Sequence, residues 1–366
     1  MKSVCDVNMC NGCMACVSVC PKHCIKVTDS INALNAKINE SLCINCKLCR
    51  KICPNISKAV MNKPIEWKQG WAASEVRDYS TSGGAASAIM YGFIQSGGYV
   101  AACLFNKGKF VFDISNDKRD IKKFAGSKYV KSNPIDIYEK IIARLKTDKV
   151  LFVGLPCQVA AIKNYVKEHE NLYTIDLICH GTPSINLLIQ YLNEAGYKIE
   201  NVDDIKFRTK VNFGLSVNGE RITSSRGIDE YLCAFLEGID YTENCYSCQF
   251  AALDRVSDVT LGDSWGTEYK EQEKEGISLI LIQSKKGKEI VEMARMDLKE
   301  VDLENAIANN RQLSYPTVLS SKRKKFFCLI EKGTSFKTST FKVIPKLIIK
   351  QRIKGILSLI HLIDRI

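Results

Sequence analysis

The sequence predicts a short α+β module rich in cysteine, fused to a longer α/β domain with a largely parallel central sheet. Three observations carry that prediction. Eight of the seventeen cysteines fall into two copies of one pattern between Cys10 and Cys53, in a stretch too short to need a large apolar core. From Thr81 onward, continuous apolar runs of strand length alternate with amphipathic runs of helix length, the pattern of buried strands covered by helices. The charge of +12 is uneven: from Lys322 onward twelve Lys and Arg face only Glu331 and Asp364. The expected division is therefore 1–62, 63–320 and a basic amphipathic tail over 321–366.

The cysteines of the first unit form a duplicated pattern. Cys10, Cys13, Cys16 and Cys20 precede Pro21, and Cys43, Cys46, Cys49 and Cys53 precede Pro54. Both runs read C-x2-C-x2-C-x3-C-P, the arrangement that holds 4Fe-4S clusters in bacterial two-cluster ferredoxins. Two-residue gaps wrap three thiolates around one face of a cubane, and the fourth cysteine points to the partner cluster. One cluster is expected on Cys10, Cys13, Cys16 and Cys53, the other on Cys43, Cys46, Cys49 and Cys20. Each proline stops a helix and turns the chain away. Zinc knuckles or a disulfide framework fit less well, because zinc sites favour two CxxC-like pairs. Residues 1–62 thus read as a ferredoxin-like module, in which Cys5 and Cys24 have no ligand role to fill.

No charged-then-apolar leader with a small-residue cleavage site opens the sequence, so a cytoplasmic protein with free thiols is expected. The one long apolar stretch, 343–366, is broken by Lys346, Lys350, Arg352 and Lys354 and does not read as a membrane span. Wound as a helix, Lys346, Lys350, Lys354, Ser358, His361 and Arg365 share one side. Leu347, Ile348, Ile353, Ile356, Leu357, Ile360 and Ile363 occupy the rest. That pattern suits either a surface-lying amphipathic helix with peripheral membrane contact or a helix packed on the body. A basic patch interleaved with aromatics is missing, which argues against nucleic acid.

Residues 62–79 read as a polar linker. Beyond it, helices are expected over 84–97, 135–146, 157–168 and 185–195. Strands are expected over 99–105, 109–114, 150–153 and 173–178, with more mixed strands at 202–208, 215–218, 259–261 and 279–283. Cys157 follows a strand and Pro156 and opens a helix, a setting that favours a thiolate. Cys179 ends the next strand, where ligands gather in open α/β sheets. Cys245 and Cys248 form a CxxC loop. Spacing alone leaves three readings of these four: a third cluster, a lone reactive thiol at Cys157, or buried core residues. Cys103, Cys233 and Cys328 read as core or incidental thiols, and His23, His169 and His361 as surface residues.

Five ordered segments resemble a known family: Ser80–Gly84, Gly126–Ser132, Phe152–Gln158, Asp176–Gly181 and Ser257–Gly266. Together with the cysteine module they look like the coenzyme F420 hydrogenase/dehydrogenase beta-subunit family, over about residues 1–270. The resemblance implies FAD and an additional 4Fe-4S cluster in the second domain, which would place Cys157, Cys179, Cys245 and Cys248 on that third cluster. It also implies a cofactor role for Ser82, Gly83 and Gly84 at a helix start, and for Gly126, Ser127, Lys128 and Tyr129 in a second close backbone turn. Two departures stand out: the small residues Ala85, Ala86, Ser87 and Ala88, and Ser264 where an aromatic residue is common.

His180 can act as a proton donor near the flavin, or make a structural hydrogen bond beside a cluster. Arg255, Asp258 and Asp263 suit either orientation of flavin or substrate or a buried salt-bridged loop. The expected function is an iron-sulfur flavoprotein oxidoreductase that exchanges a hydride with coenzyme F420 or another small molecule. Expected partners are an acidic redox protein such as ferredoxin or other subunits of a redox complex. The alternative is an electron-relay subunit without turnover of its own.

Overall fold

The structure, a computed structural model, describes residues 2–223 and 227–359. The N-terminal unit is backed by an antiparallel hairpin, β1 (Ile25–Asp29) and β2 (Leu34–Ile38), in register from Ile25↔Ile38 to Asp29↔Leu34. Its inward residues Ile25, Leu34, Ala36 and Ile38 pack with Val4 against the cysteine sulfurs. The duplication read in the sequence is also a duplication of backbone. Gly12 (φ 74°) and Met14 (φ 59°) in the first run correspond to Asn45 (φ 55°) and Lys47 (φ 62°) in the second. Left-handed residues at matching places curl each run and aim amides inward, the concave backbone that binds anions and iron-sulfur centres.

The rest is dominated by one twisted sheet built from β3 (Glu66–Ala72), β4 (Tyr99–Asn106), β5 (Lys109–Ser115), β6 (Val150–Gly154) and β7 (Leu172–Leu177). A small antiparallel sheet comes next, made of β8 (Ile205–Thr209), β9 (Asn212–Val217) and β10 (Glu220–Arg221). The chain then returns to the main sheet with β11 (Val259–Asp263), β12 (Ser278–Ile282) and β13 (Met296–Lys299). The main order is β13-β3-β12-β11-β7-β6-β4-β5. The four strands β11, β7, β6 and β4 are parallel at its centre, and antiparallel strands lie on both margins.

Both faces are apolar because both are covered. Along β6, Leu151 and Val153 join the core under helix Ala85–Gln95, with Ile89 and Phe93. Val150 and Phe152 point the other way, toward helices Ile137–Leu145 and Pro156–Val166, with Ile141, Val159 and Ile162. Cys13, Ala15 and Ile52 belong to this second core, so the cysteine module is seated directly on the sheet's helical layer. The buried Tyr138 hydroxyl donates to the Cys13 carbonyl at 2.5 Å and ties the two units together.

Two expectations are corrected. The polar segment read as a linker contains β3, an interior strand paired with both β12 and β13. Its polar character is deceptive: Gln69 is fully buried, and its amide bonds Ser264, Thr267, Glu268 and the Glu300 carbonyl. The basic C-terminal segment is not simply appended. Its helices Ser321–Glu331, Phe336–Val343 and Pro345–Leu359 place Phe326, Phe336, Ile344 and Ile348 in a core with Tyr191, Phe207 and Tyr231. Ile349, Ile353 and Ile356 face outward beside exposed Lys346, Lys350 and Lys354. Ile360, His361, Ile363 and Arg365 lie outside the described residues. No helix among those described is long and apolar enough to cross a membrane.

Gly83 packs backbone against backbone on β3 and the start of β12. A Cβ there would lie 2.5 Å from both the Gly70 oxygen and the Ser278 nitrogen. Gly83→Ala should destabilise the protein by about 1–3 kcal/mol through overpacking. An unchanged chemical-denaturation midpoint would show that this close approach is not needed.

Candidate functional site

The structure gathers the twelve candidate cysteines into three groups. In the first, Cys13 acts on each of Cys10, Cys16 and Cys53. In the second, Cys49 is close to Cys20, Cys46 and Cys43. A small cavity is lined by Cys20, Cys43, Cys46 and Cys49. The fourth cysteine of each run thus sits with the opposite run. Backbone amides supply hydrogen bonds to the sulfurs: Gly12 to Cys10 at 3.4 Å, Ala15 to Cys13, Arg50 to Cys49 and Asn55 to Cys53. Thiols spread around a centre and met by amides suit a cluster carrying net negative charge. Among the described residues, no three His, Cys, Asp or Glu side chains converge as they would on a single metal ion.

The third group forms where β6, β7 and the loop before β11 end together. Cys157 sits in the first turn of Pro156–Val166, Cys179 follows β7, and Cys245 and Cys248 lie in and after the turn Glu243–Ser247. The charges of Cys248 and Cys179 act on Cys157, and those of Cys245 and Cys248 act on Cys179. Burial pushes the Cys157 thiol well above its ordinary value and raises Cys179 to about 12. The helix terminus that the sequence suggested would favour a Cys157 thiolate is outweighed by desolvation. Without a metal these thiols stay protonated, which argues against a free nucleophile and for a cluster that takes them as thiolates.

The loop is braced by Arg255. Its guanidinium is buried, pairs with Asp176 at 2.9 Å and donates to the carbonyls of Phe250 and Leu177. Asp258 accepts from Thr174 and Ser284 and holds β7 to β11. Both are structural here.

Lys131 is the residue that joins the groups. Burial acts to lower its pKa, but its place beside Cys245, Cys157, Cys179 and Cys10 acts to raise it, an attraction that operates when those sulfurs are held as thiolates. Its Nζ donates to the Asn11 carbonyl at 3.2 Å. Cys13 also acts on Cys157, and Cys16 is close to Cys49. The order is therefore second group, first group, third group.

Beyond the third group lies a cavity of about 470 Å³ at the carboxyl ends of the parallel strands. Cys179 and His180 line it, with Ser82, Gly84, Gly126, Ser127, Lys128 and Tyr129. Thr81 Oγ1 and Ser127 Oγ lie 3.1 Å apart and join the two glycine-bearing loops. Gly84 (φ 85°) caps helix Ala85–Gln95, and Ala85 and Ala86 keep its first turn low beneath the cavity. Gly126 (φ 87°) has nothing within 4 Å of where a Cβ would be. These small residues leave room for a ligand to approach the backbone closely.

Other predicted residues are placed differently. Gly83 does not line the cavity. The Lys128 ammonium donates to the carbonyls of Phe124, Ala125 and Gly126 at 2.8–3.0 Å, so it supports the turn from within. Tyr129 stacks on Phe235 with ring centroids 4.4 Å apart. Ser264 is buried and bonds Gln69 at 2.8 Å, so it faces the interior instead of a substrate surface. His180 is open to the cavity, yet the protein mass around it, followed by Arg311 and Arg208, pushes its pKa down to about 4. That favours the neutral imidazole, a weak base that can still donate its ring N–H as a hydrogen bond. Cys103 lines the cavity, Cys233 is core and Cys328 is exposed.

Sequence reasoning missed Arg208. It forms a two-pronged pair with Asp263 at 2.7 and 2.8 Å, and its guanidinium lies 5.0 and 5.5 Å from the rings of Phe213 and Trp265. Asp263 and Trp265 lie within a recognised segment, but their partner is some fifty residues earlier and carries no local signal. Arg208→Ala would strand the partly buried Asp263 carboxylate and should cost about 3 kcal/mol. A double-mutant cycle with Asp263→Ala checks this: strictly additive losses would show that the pair contributes nothing.

The fold and the three thiol groups define an iron-sulfur redox protein, and the comparisons agree. Residues 9–56 match the family described as 4Fe-4S dicluster domain. Residues 147–306 match the family described as the C terminus of the Coenzyme F420 hydrogenase/dehydrogenase beta subunit. The chain thus carries a 4Fe-4S dicluster domain followed by a domain similar to the C terminus of the F420 hydrogenase/dehydrogenase beta subunit. An uncharacterized protein of Methanocaldococcus jannaschii is 25% identical over 332 residues, covering 78% of this chain and 86% of its own length. The coenzyme F420-dependent sulfite reductase of the same organism is 26% identical over 339 residues; 86% of this chain aligns with 50% of that protein, so the chain spans about half its length. A chain from the F420-reducing nickel-iron hydrogenase complex of Methanosarcina barkeri has a similar fold, with a TM-score of 0.50 and 18% identity. The match covers 75% of this chain and 96% of that one.

Proposed function

We propose that this protein is a flavin-dependent iron-sulfur oxidoreductase that moves electrons between a protein partner and a small organic hydride donor or acceptor. The single observation that carries the reading is the seriation of sites: an outer thiol group, an inner one, a third group, and then a cavity reached by Cys179. Two 4Fe-4S clusters are assigned to Cys10, Cys13, Cys16 and Cys53 and to Cys43, Cys46, Cys49 and Cys20. A third is assigned to Cys157, Cys179, Cys245 and Cys248.

The cavity suits FAD by its size and by the two glycine-bearing loops at its wall. Bound there, FAD supplies the conversion between single-electron and hydride chemistry. The chain's own residues supply the setting. The Ser82–Gly84 and Gly126–Tyr129 turns would bind the cofactor's phosphates through backbone amides, with Thr81 and Ser127 fixing the two turns against each other. Lys128 holds the second turn from within. Phe213, Phe235 and Trp265 exclude water. His180, neutral and facing the cavity, is the proposed residue for donating its ring N–H as a hydrogen bond at the reacting end.

Coenzyme F420 is the first substrate to test, because a relative is named for dependence on it. The partner is proposed to be an acidic redox protein or a neighbouring subunit, met through the outer group, where Cys46 is exposed.

Anaerobic purification should give about twelve irons and one FAD per chain. Cys157→Ala should lose about four irons while keeping the other eight. About eight irons with no flavin in the unaltered protein would overturn the flavoenzyme reading.

A further inference from the structure

Each N-terminal thiol group contains a fifth sulfur. Cys24 Sγ lies 3.4 Å from Cys20 Sγ and within hydrogen-bonding reach of Cys43. Cys5 is within the same reach of both Cys10 and Cys53. Both are well packed, at 6% and 8% exposure, and both are delivered by the hairpin: Val4, before Cys5, bonds Ala36, and the Cys24 carbonyl accepts from Asn39. The arrangement is the same at two sites although the two cysteines lie outside the repeated runs. Neither is in the C-x2-C-x2-C-x3-C frame, and each group already has four thiols for a cubane.

The neighbours of Cys5 orient it. The Asn55 amide nitrogen lies 3.9 Å from its sulfur, and that amide is held by Asn11, which donates to its oxygen at 2.9 Å. In the metal-free protein the hydrogen bonds run from Cys10 and Cys53 to the Cys5 sulfur, which also receives the Asn55 amide. Once iron holds those two as thiolates, they have no proton to give, and a hydrogen bond between the sulfurs requires Cys5 to be the donor. The same holds for Cys24 beside Cys20 and Cys43.

We propose that Cys5 and Cys24 are potential-setting residues, each donating an S–H hydrogen bond to ligand sulfurs of one 4Fe-4S cluster and thereby raising that cluster's reduction potential. The physical reason is that an added electron spreads onto the sulfurs, so a donor stabilises the reduced cluster more than the oxidised one. The inference rests on the cluster assignment proposed above. It adds a role for two thiols that ligate nothing.

The test uses the full chain, purified without oxygen, as the unaltered protein and as Cys5→Ala, Cys5→Ser, Cys24→Ala and Cys24→Ser. Iron is counted, and the clusters are titrated with potential under electron paramagnetic resonance. The expected result is unchanged iron, with one cluster in each Ala variant shifted to lower potential. The matching Ser variant should fall between, because its O–H restores a donor. Unchanged potentials in both Ala variants would overturn the proposal, leaving the two cysteines as packing residues. Loss of about four irons in both the Ala and Ser variants of one position would also overturn it there, by making that cysteine a ligand. Absence of the N-terminal irons from the unaltered protein would instead sink the cluster assignment itself, so the two failures are told apart.

Discussion

Desolvation of sulfur governs this molecule. Burial raises the pKa of Cys13 to about 11 and of Cys179 to about 12, and drives Cys16 and Cys157 higher still. Groups of buried thiols are poor nucleophiles and poor ion pairs, but they are good cluster ligands, because iron replaces their protons. The surroundings reflect this. Curled backbone presents amides to the sulfurs, Tyr138 ties the Cys13 loop to the helical layer, and Lys131 sets a cation between two groups. Arg255 anchors the loop that carries Cys248 by pairing with Asp176 at the end of β7.

The parallel centre of the sheet explains where the cavity lies. β6 and β7 run side by side, so Cys157 and Cys179, each just beyond a strand end, emerge as neighbours. The small residues after the first glycine loop leave the floor of the cavity low, and the ring cluster around Arg208 closes its far side. A thiol group at the end of one strand and a cavity beginning at the same residue are thus consequences of one topology.

The cysteine runs, the strand–helix alternation and the glycine turns could all be read from the chain because each is a local pattern with a local cause. A CxxC gap dictates how sulfurs wrap, and an apolar run of five residues dictates burial on both faces. Where local character misled, a distant partner was responsible. Gln69 looks like linker chemistry until Ser264 and Thr267 satisfy its amide. The basic C-terminal stretch looks detachable until Phe326 and Phe336 enter the core beside Tyr231. Lys128 looks like a phosphate ligand until three carbonyls of its own turn accept its hydrogen bonds.

The sequence by itself determined the cysteine module, the α/β character of the longer domain and most of the residues at the strand ends, since spacing and periodicity are properties of neighbours along the chain. Only the tertiary structure decided the grouping of Cys245 and Cys248 with Cys157 and Cys179, the pairing of Arg208 with Asp263, and the approach of Cys5 to Cys53 and of Cys24 to Cys43. Those contacts join residues far apart in the chain, and no local preference encodes them. They come from the packing of whole elements, which sets what a buried charge or thiol finds beside it.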